Sequence, residues 1–355
     1  MTTATTPNPK RILSGVQPSG KLHVGNYFGA IKQHIDLQNE AECFYFIADY
    51  HALTTIEEAA GRRALAANRL NDKLRPRDYA DALRENTLDV ALDYLALGLD
   101  PDKAVFFRQS DIPEVNELTW ILSTVTNMGL LERAVSYKEK VEKGIDASVG
   151  LFTYPVLMAS DILIYRSHMV PVGKDQVQHV EMTRDIAGKF NGRFGEVFPL
   201  PTFRLDKASK VPGTDGQKMS KSYGNTIDIF AEGNSLKKTV MGIVTDSTPV
   251  EAPKDPDKCN VFALYGLFAA DAEKAALAAR YRAGGMGYGE AKKLLLEKID
   301  AFFGPARERR KQLAAHPEQV EAVLKRGAER ARAEARKTME LVRVAVGMRP
   351  RSVAE

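Results

Sequence analysis

The run Ile12-Leu13-Ser14-Gly15-Val16, followed by the turn Gln17-Pro18-Ser19-Gly20 and a helical pattern from about residue 25, constrains this chain most. A strand that turns through Pro and Gly into a helix offers backbone N–H groups and a positive helix terminus to whatever lies above the turn, and phosphate suits both. In that helix Phe28, Ile31 and Ile35 share one face. Cys43-Phe44-Tyr45-Phe46-Ile47-Ala48 is apolar without alternation, as a parallel strand covered on both sides should be. It ends at Asp49 and His51, where open α/β sheets bind ligands. Strands of the same kind are expected at Ala104-Val105-Phe106-Phe107 and Met169-Val170-Pro171-Val172. Between them the pattern predicts helices over 56–98 with a break at Pro76, 114–127, 155–165 and 176–190, and a glycine-punctuated loop over 137–150. Such alternation predicts an α/β fold with a doubly wound parallel sheet of Rossmann type. Past Ile229 the apolar stripes are helical, with Leu294, Leu295, Ile299, Phe302 and Phe303 in one and Val320, Val323, Leu324, Ala331, Ala335 and Val342 in another. The expected organisation is a disordered lead over 1–9, a catalytic domain over 10–228 and a helical C-terminal domain over 229–350.

Lys218-Met219-Ser220-Lys221-Ser222 follows His23-Val24-Gly25-Asn26 far along the chain. Together they supply two ammonium groups, hydroxyls and helix N–H donors, the groups that hold a polyphosphate. In nucleotidyl transfer from ATP, a nucleophile on the other substrate attacks the α-phosphorus and pyrophosphate departs. Negative charge grows on phosphate oxygens, so cations and donors are needed there and a side-chain nucleophile is not. On that chemistry Lys218 and Lys221 stabilise the departing pyrophosphate, while His23, Asn26 and Gln17 hold the phosphates from the other side. Gly15, Gly20 and Gly25 let the backbone approach closely. Gly173-Lys174-Asp175-Gln176 follows an apolar strand, so Asp175 is placed either at a ribose hydroxyl or as the N-cap of the next helix.

A chain of 355 residues, 44% apolar and 27% charged, allows one or two globular domains. No apolar run approaches the length a bilayer requires, and residues 1–9 lack the apolar segment of a signal peptide. Cys43 and Cys259 are the only cysteines and form no Cys-x-x-Cys pair, so neither a disulfide framework nor a metal site from protein ligands is expected; a reducing, cytoplasmic setting is. Net charge is +4, yet residues 307–351 carry thirteen Lys/Arg against six Asp/Glu. That excess suits a polyanionic partner, or simply a solvated helical surface.

The two motifs, in this order, resemble the paired signatures of class I aminoacyl-tRNA synthetases. Over residues 10–350 the chain resembles the bacterial tryptophanyl-tRNA synthetases. The resemblance rests on Ser14-Gly15-Val16-Gln17-Pro18-Ser19-Gly20, Gly25-Asn26-Tyr27, Thr153-Tyr154-Pro155-Val156-Leu157-Met158-Ala159-Ser160-Asp161-Ile162-Leu163, Val170-Pro171-Val172-Gly173-Lys174-Asp175-Gln176 and Val244-Thr245-Asp246-Ser247. It implies a homodimeric enzyme with a Rossmann catalytic domain and a helical anticodon-binding domain, using ATP with Mg2+, L-tryptophan and tRNA(Trp), with neither membrane nor DNA as partner. Asp161 is then the acceptor of the indole N–H and Met158 lies beside the ring. Tyr154 and Gln176 hold the ammonium end, and Gly15, Val170 and Val172 complete the tryptophan pocket. The nucleotide would meet Gln17, Pro18, Ser19, Gly25, Asn26, Gly173, Lys174, Asp175, Val211, Lys218, Met219, Ser220, Lys221 and Ser222, with Lys140 near the pyrophosphate.

Met158 and Asp161, three apart, share a helix face, and a buried carboxylate penalises any ligand without a donor. The plainer reading of the same residues is a core methionine and a structural ion-pair partner. The sequence departs from the family at Leu13, where a phenylalanine is common, and in a charged stretch over 57–78 that reads as an insertion; the four-cysteine cluster of some members is missing. A tyrosyl-tRNA synthetase, whose phenol also donates one hydrogen bond, remains an alternative, as does a synthetase paralogue without catalysis. Intact Lys218, Ser220, Lys221, His23 and Asn26 weigh against the latter.

Overall fold

The computed structural model describes residues 10–67, 69, 73–135, 137–138, 148–205 and 211–350. Its centre is one sheet of parallel strands, β1 (Arg11–Val16), β2 (Glu42–Ile47), β3 (Val105–Arg108), β4 (Met169–Val172) and β5 (Thr202–Leu205), in the spatial order β3-β2-β1-β4-β5. The chain builds outward from β1 to β3 and then returns to lay β4 on the other side of β1. The crevice above the carboxyl ends of β1 and β4 is therefore the ligand position of a doubly wound sheet. β1 follows β2 over six register pairs from Arg11–Glu42 to Val16–Ile47, but meets β4 only at Ile12–Met169. Beyond that pair the two strands part, and a cavity opens between them.

Successive side chains point to opposite faces, and each face has its own core. Ile12, Cys43, Tyr45, Ile47 and Phe106 belong to a cluster with Leu236, Val261, Leu295, Ile299 and Phe303. Leu13, Phe44, Phe46, Phe107, Val170 and Val172 face Ile121, Val156, Ile162 and Phe190 from the helices Glu114–Ser123, Val149–Ile164 and Val177–Phe194.

The last helix, Pro317–Ala345, serves both cores. Val320 and Leu324 join the first, while Ala331, Ala335, Met339 and Val342 join the second, so the helix crosses the edge strand β3. Covering an edge in this way removes a strand surface open to pairing with other chains. The crossing point is Gly327, where a Cβ would stand 1.8 Å from the Phe106 carbonyl oxygen. Three arginines of the tail secure this helix, Arg332 and Arg336 on Glu114 and Arg343 on Glu117, and Arg108 at the end of β3 binds its Glu321. Gly327→Ala should destabilise the protein. Helix propensity alone favours alanine by about 1 kcal/mol, but the backbone carbonyl cannot yield, and overpacking costs about 1–3 kcal/mol or more. An unchanged urea midpoint would contradict this close approach.

Several boundaries differ from the sequence expectation. The helix expected over 155–165 begins earlier, at Val149, because the Ser148 side chain accepts the Leu151 N–H at 3.2 Å and caps the first turn. Pro155 lies inside it, where only one backbone bond is lost near the amino end. The helix expected over 114–127 stops at Ser123, and the one expected over 176–190 runs from Val177 to Phe194. β5 has no apolar run to announce it, being an exposed edge. The helix after the first turn contains a π-helical turn at Tyr27–Ile31, an irregularity that often accompanies functional sites.

Candidate active site

The cavity between β1 and β4 has a volume of about 480 Å³. Leu13, Gly15 and Gln17 from the β1 side and Val170, Val172 and Gly173 from the β4 side form two of its walls. Tyr154, Met158 and Asp161 of the helix Val149–Ile164 form a third, with Gln176 and His51 at the rim and back. All the residues expected to bind tryptophan thus line one cavity. Phe46 supplies an aromatic face in the pocket, which Leu13 also lines. Its ring lies over Gly15, and a Cβ there would come within 2.5 Å of it.

Asp161 is 2% exposed and receives three hydrogen bonds. Gln109 Nε2 donates to both carboxylate oxygens, at 2.9 and 2.8 Å, and His51 Nε2 lies 3.0 Å from Oδ2. Burial raises the carboxyl above its ordinary range, while His51 and Gln109 oppose that rise. The result is a fixed acceptor in the wall of the cavity, able to take one more donor. Tyr154 hydrogen-bonds His179 Nε2, and burial holds the His179 imidazole below its usual value. Gln109 and His179 escaped sequence reasoning. Gln109 follows the end of β3, the position that drew attention to Asp49 and His51 after β2, so the same rule could have found it.

The nucleotide motifs also come together. His23 caps the helix: its Nδ1 accepts the Asn26 N–H at 3.3 Å, and the Asn26 Oδ1 accepts the His23 N–H at 3.0 Å. With Nδ1 accepting, the neutral ring carries its proton on Nε2. Burial, and then the charge of Lys221, pull this imidazole down to about 4. Gly25 donates its N–H to Met219 Sδ at 3.2 Å, and a Cβ at Gly25 would lie 3.2 Å from Met219 Cβ. The two motifs therefore touch through a glycine. Lys221 Nζ donates to the Gly20 carbonyl at 2.9 Å and reaches Ser19 Oγ at 3.3 Å. Burial, and next the nearby Arg62 guanidinium, lower its ammonium to about 8.

Val211 and Met219 are buried, Ser220 is half-buried, and Lys218 and Ser222 are exposed. The Val211 carbonyl accepts the Met219 N–H at 2.9 Å, and Ser220 and Ser222 share a hydroxyl contact of 2.8 Å. Gln17 donates to Thr55 Oγ1 at 2.8 Å, which ties the first turn, with Pro18 and Ser19, to the segment before the helix Ile56–Ala66. Lys174 and Asp175 are exposed beyond β4. Asp175 does not cap the following helix, whose N-cap is Gln176; its carboxylate instead accepts the Gln176 amide at 2.9 Å. Lys140 lies outside the described residues. No group of three or more His, Cys, Asp or Glu able to hold a metal ion occurs among the described residues.

Residues 5–304 match the family described as tRNA synthetases class I (W and Y). The tryptophan–tRNA ligase of Rhodopirellula baltica is 54% identical over 340 residues, covering 96% of this chain and 100% of that protein. That of Fusobacterium nucleatum is 52% identical over 341 residues, covering 96% and 98%. The crystal structure of tryptophanyl-tRNA synthetase from Campylobacter jejuni, complexed with ADP and tryptophan, has a TM-score of 0.85 at 49% identity, covering 95% of this chain and 99% of that one. A Rossmann sheet with a cavity at its switch point, near the paired His23–Asn26 and Lys218–Ser222 motifs, thus occurs in a chain that belongs to the class I tRNA synthetases of the W and Y group, among the tryptophan–tRNA ligases.

Proposed function

We infer that this chain activates L-tryptophan with ATP, forming tryptophanyl-adenylate and pyrophosphate, and then transfers tryptophan to the 3′ end of tRNA(Trp). The observation that carries this reading is the buried Asp161 in the wall of a cavity that Gln17 also lines, two residues before the turn that Lys221 contacts at Ser19 and Gly20. An indole supplies a flat apolar body for Met158, Phe46, Val170 and Val172, and one N–H for Asp161. A ligand without that donor leaves a buried carboxylate short of a partner and binds worse for it. Tyr154 and Gln176 are assigned to the ammonium end.

With the substrate so held, its carboxylate oxygen attacks the α-phosphorus and the bond to the pyrophosphate oxygen breaks. His23, through Nε2–H, and Asn26, through its side-chain amide, are assigned to the phosphates from one side. Lys218 and Lys221 are assigned to the charge that accumulates on the departing pyrophosphate. The described residues offer no carboxylate cluster for a resident cation, so Mg2+ is assigned to enter with ATP as its phosphate counter-ion.

The pH dependence follows from Lys221. Its ammonium, lowered to about 8, is present below that pH and lost above it. Because kcat/KM reports the free enzyme, kcat/KM for ATP should fall on the alkaline side with an apparent pKa near 8. The limb should vanish in Lys221→Ala. A profile flat through that region in the wild type would contradict the role.

We assign tRNA anticodon binding to the helical region over 229–350, where Lys325, Arg326 and Arg330 are exposed on the last helix. A homodimer is also proposed. Trp120 (71% exposed), Met128 (62%) and Val149 (78%) supply apolar surface on helices that pack together. No described helix is long and apolar enough to cross a membrane, and both cysteines are free; we propose a cytoplasmic setting. The experiment that tests the function is ATP-dependent charging of tRNA(Trp). Tryptophan should be esterified with release of AMP and pyrophosphate, and failure to charge with tryptophan while another amino acid is transferred would refute it.

A further inference from the structure

We propose that Asn225 is the positioning residue of the lysine loop, a single buried amide that fixes the peptides carrying Lys218 and Lys221 before ATP arrives. The inference rests on reading this loop as the one that meets the ATP phosphates. Asn225 is 2% exposed although it follows the most polar stretch of the loop. Its Nδ2 donates to the Lys218 carbonyl at 3.1 Å and to Asp215 Oδ1 at 2.7 Å, and its Oδ1 accepts the Ser220 N–H at 2.8 Å. Both amide hydrogens and the amide oxygen are thus engaged. The backbone carbonyl of the same residue accepts the Thr214 N–H at 2.9 Å.

The bonded groups show what the amide controls. Lys218 O and Ser220 N flank Met219, so Asn225 grips the chain just beyond one lysine and just before the other. Met219 is pinned independently, through its N–H to the Val211 carbonyl and through its sulfur to the Gly25 N–H. Gly224, in the left-handed region at φ 65°, turns the chain so that Asn225 can fold back under the loop. Gly213 makes the space: a Cβ there would stand 2.3 Å from Asn225 Nδ2 and 2.4 Å from Cγ. A loop held in this way begins the reaction with its two ammonium groups rooted, and only their side chains need to move when phosphates displace the Ser19 and Gly20 carbonyls from Lys221.

If Asn225 acts through the lysines, its loss should lower kcat and leave the tryptophan site untouched. Asn225→Asp keeps the volume but sets an acceptor against Lys218 O and Asp215. Asn225→Ala removes every bond of the side chain. In pyrophosphate exchange, kcat is expected to fall about 10- to 100-fold with KM for tryptophan within about twofold. Made in a Lys221→Ala background, the same substitution should cost less than about fivefold, because coupled residues are non-additive. Should both variants fail to fold, Gly213→Ala displaces the same amide and should show the same split between kcat and KM. Unchanged kcat in a folded variant, or the full loss repeated in the Lys221→Ala background, overturns the proposal. Wild-type exchange with tryptophan, run alongside, tests the underlying reading separately from these ratios.

Discussion

Lys221→Ala is expected to lower kcat for adenylate formation by about 10²–10³-fold while leaving tryptophan affinity nearly unchanged, the size of effect seen when one transition-state donor is removed. The Lys221 ammonium contacts the Ser19 and Gly20 carbonyls and the Ser19 hydroxyl, all neutral groups. Charged phosphate oxygens are better partners, and better still as pyrophosphate leaves. The interaction therefore grows along the reaction, which places its effect in kcat. Lys221 does not line the cavity between β1 and β4, so tryptophan binding has no reason to change. Single-turnover activation measured beside equilibrium binding of tryptophan separates the two. A variant that binds tryptophan poorly but activates at the wild-type rate would contradict the assignment.

Asp161→Asn should lower kcat/KM for tryptophan about 5- to 150-fold, a loss on the order of 1–3 kcal/mol. The amide oxygen can still accept the indole N–H, which keeps the loss partial. Its NH2, however, must face either the cavity or the donors Gln109 Nε2 and His51 Nε2 that now converge on the carboxylate. Both orientations cost something: the first turns a donor toward the indole N–H, and the second sets donor against donor. A tryptophan analogue with sulfur in place of the ring nitrogen has no N–H to lose and should be affected less. Equal losses for both ligands would mean that Asp161 acts only by holding the pocket together.

Much of the site was legible because the chemistry is carried by contiguous strings. His23 to Asn26 and Lys218 to Ser222 each hold their groups within a few residues, and Met158 and Asp161 lie one helical turn apart. Gln109 was not legible in the same way, since its role depends on the fold bringing it beside Asp161, 52 residues later. Asn225 stayed hidden for a related reason. An asparagine after a glycine reads as a turn residue, and only the folded loop shows its amide buried under the lysines. The arginines of the last helix carry the opposite lesson. Their number suggested a polyanion surface, but Arg332, Arg336 and Arg343 meet Glu114 and Glu117, and sequence alone does not reveal such distant partners. β5 was missed because an exposed edge strand lacks the apolar run that marked β2 and β3.

The central claim is that the cavity at the β1–β4 crevice admits tryptophan for activation by the adjoining phosphate motifs. ATP–pyrophosphate exchange measured with each of the twenty amino acids tests it most directly. The account predicts exchange with tryptophan at a kcat/KM at least about a hundredfold above tyrosine, since the phenol neither fills the indole slot nor places its donor at Asp161. Exchange driven by tyrosine as well as by tryptophan, or by neither, would contradict it.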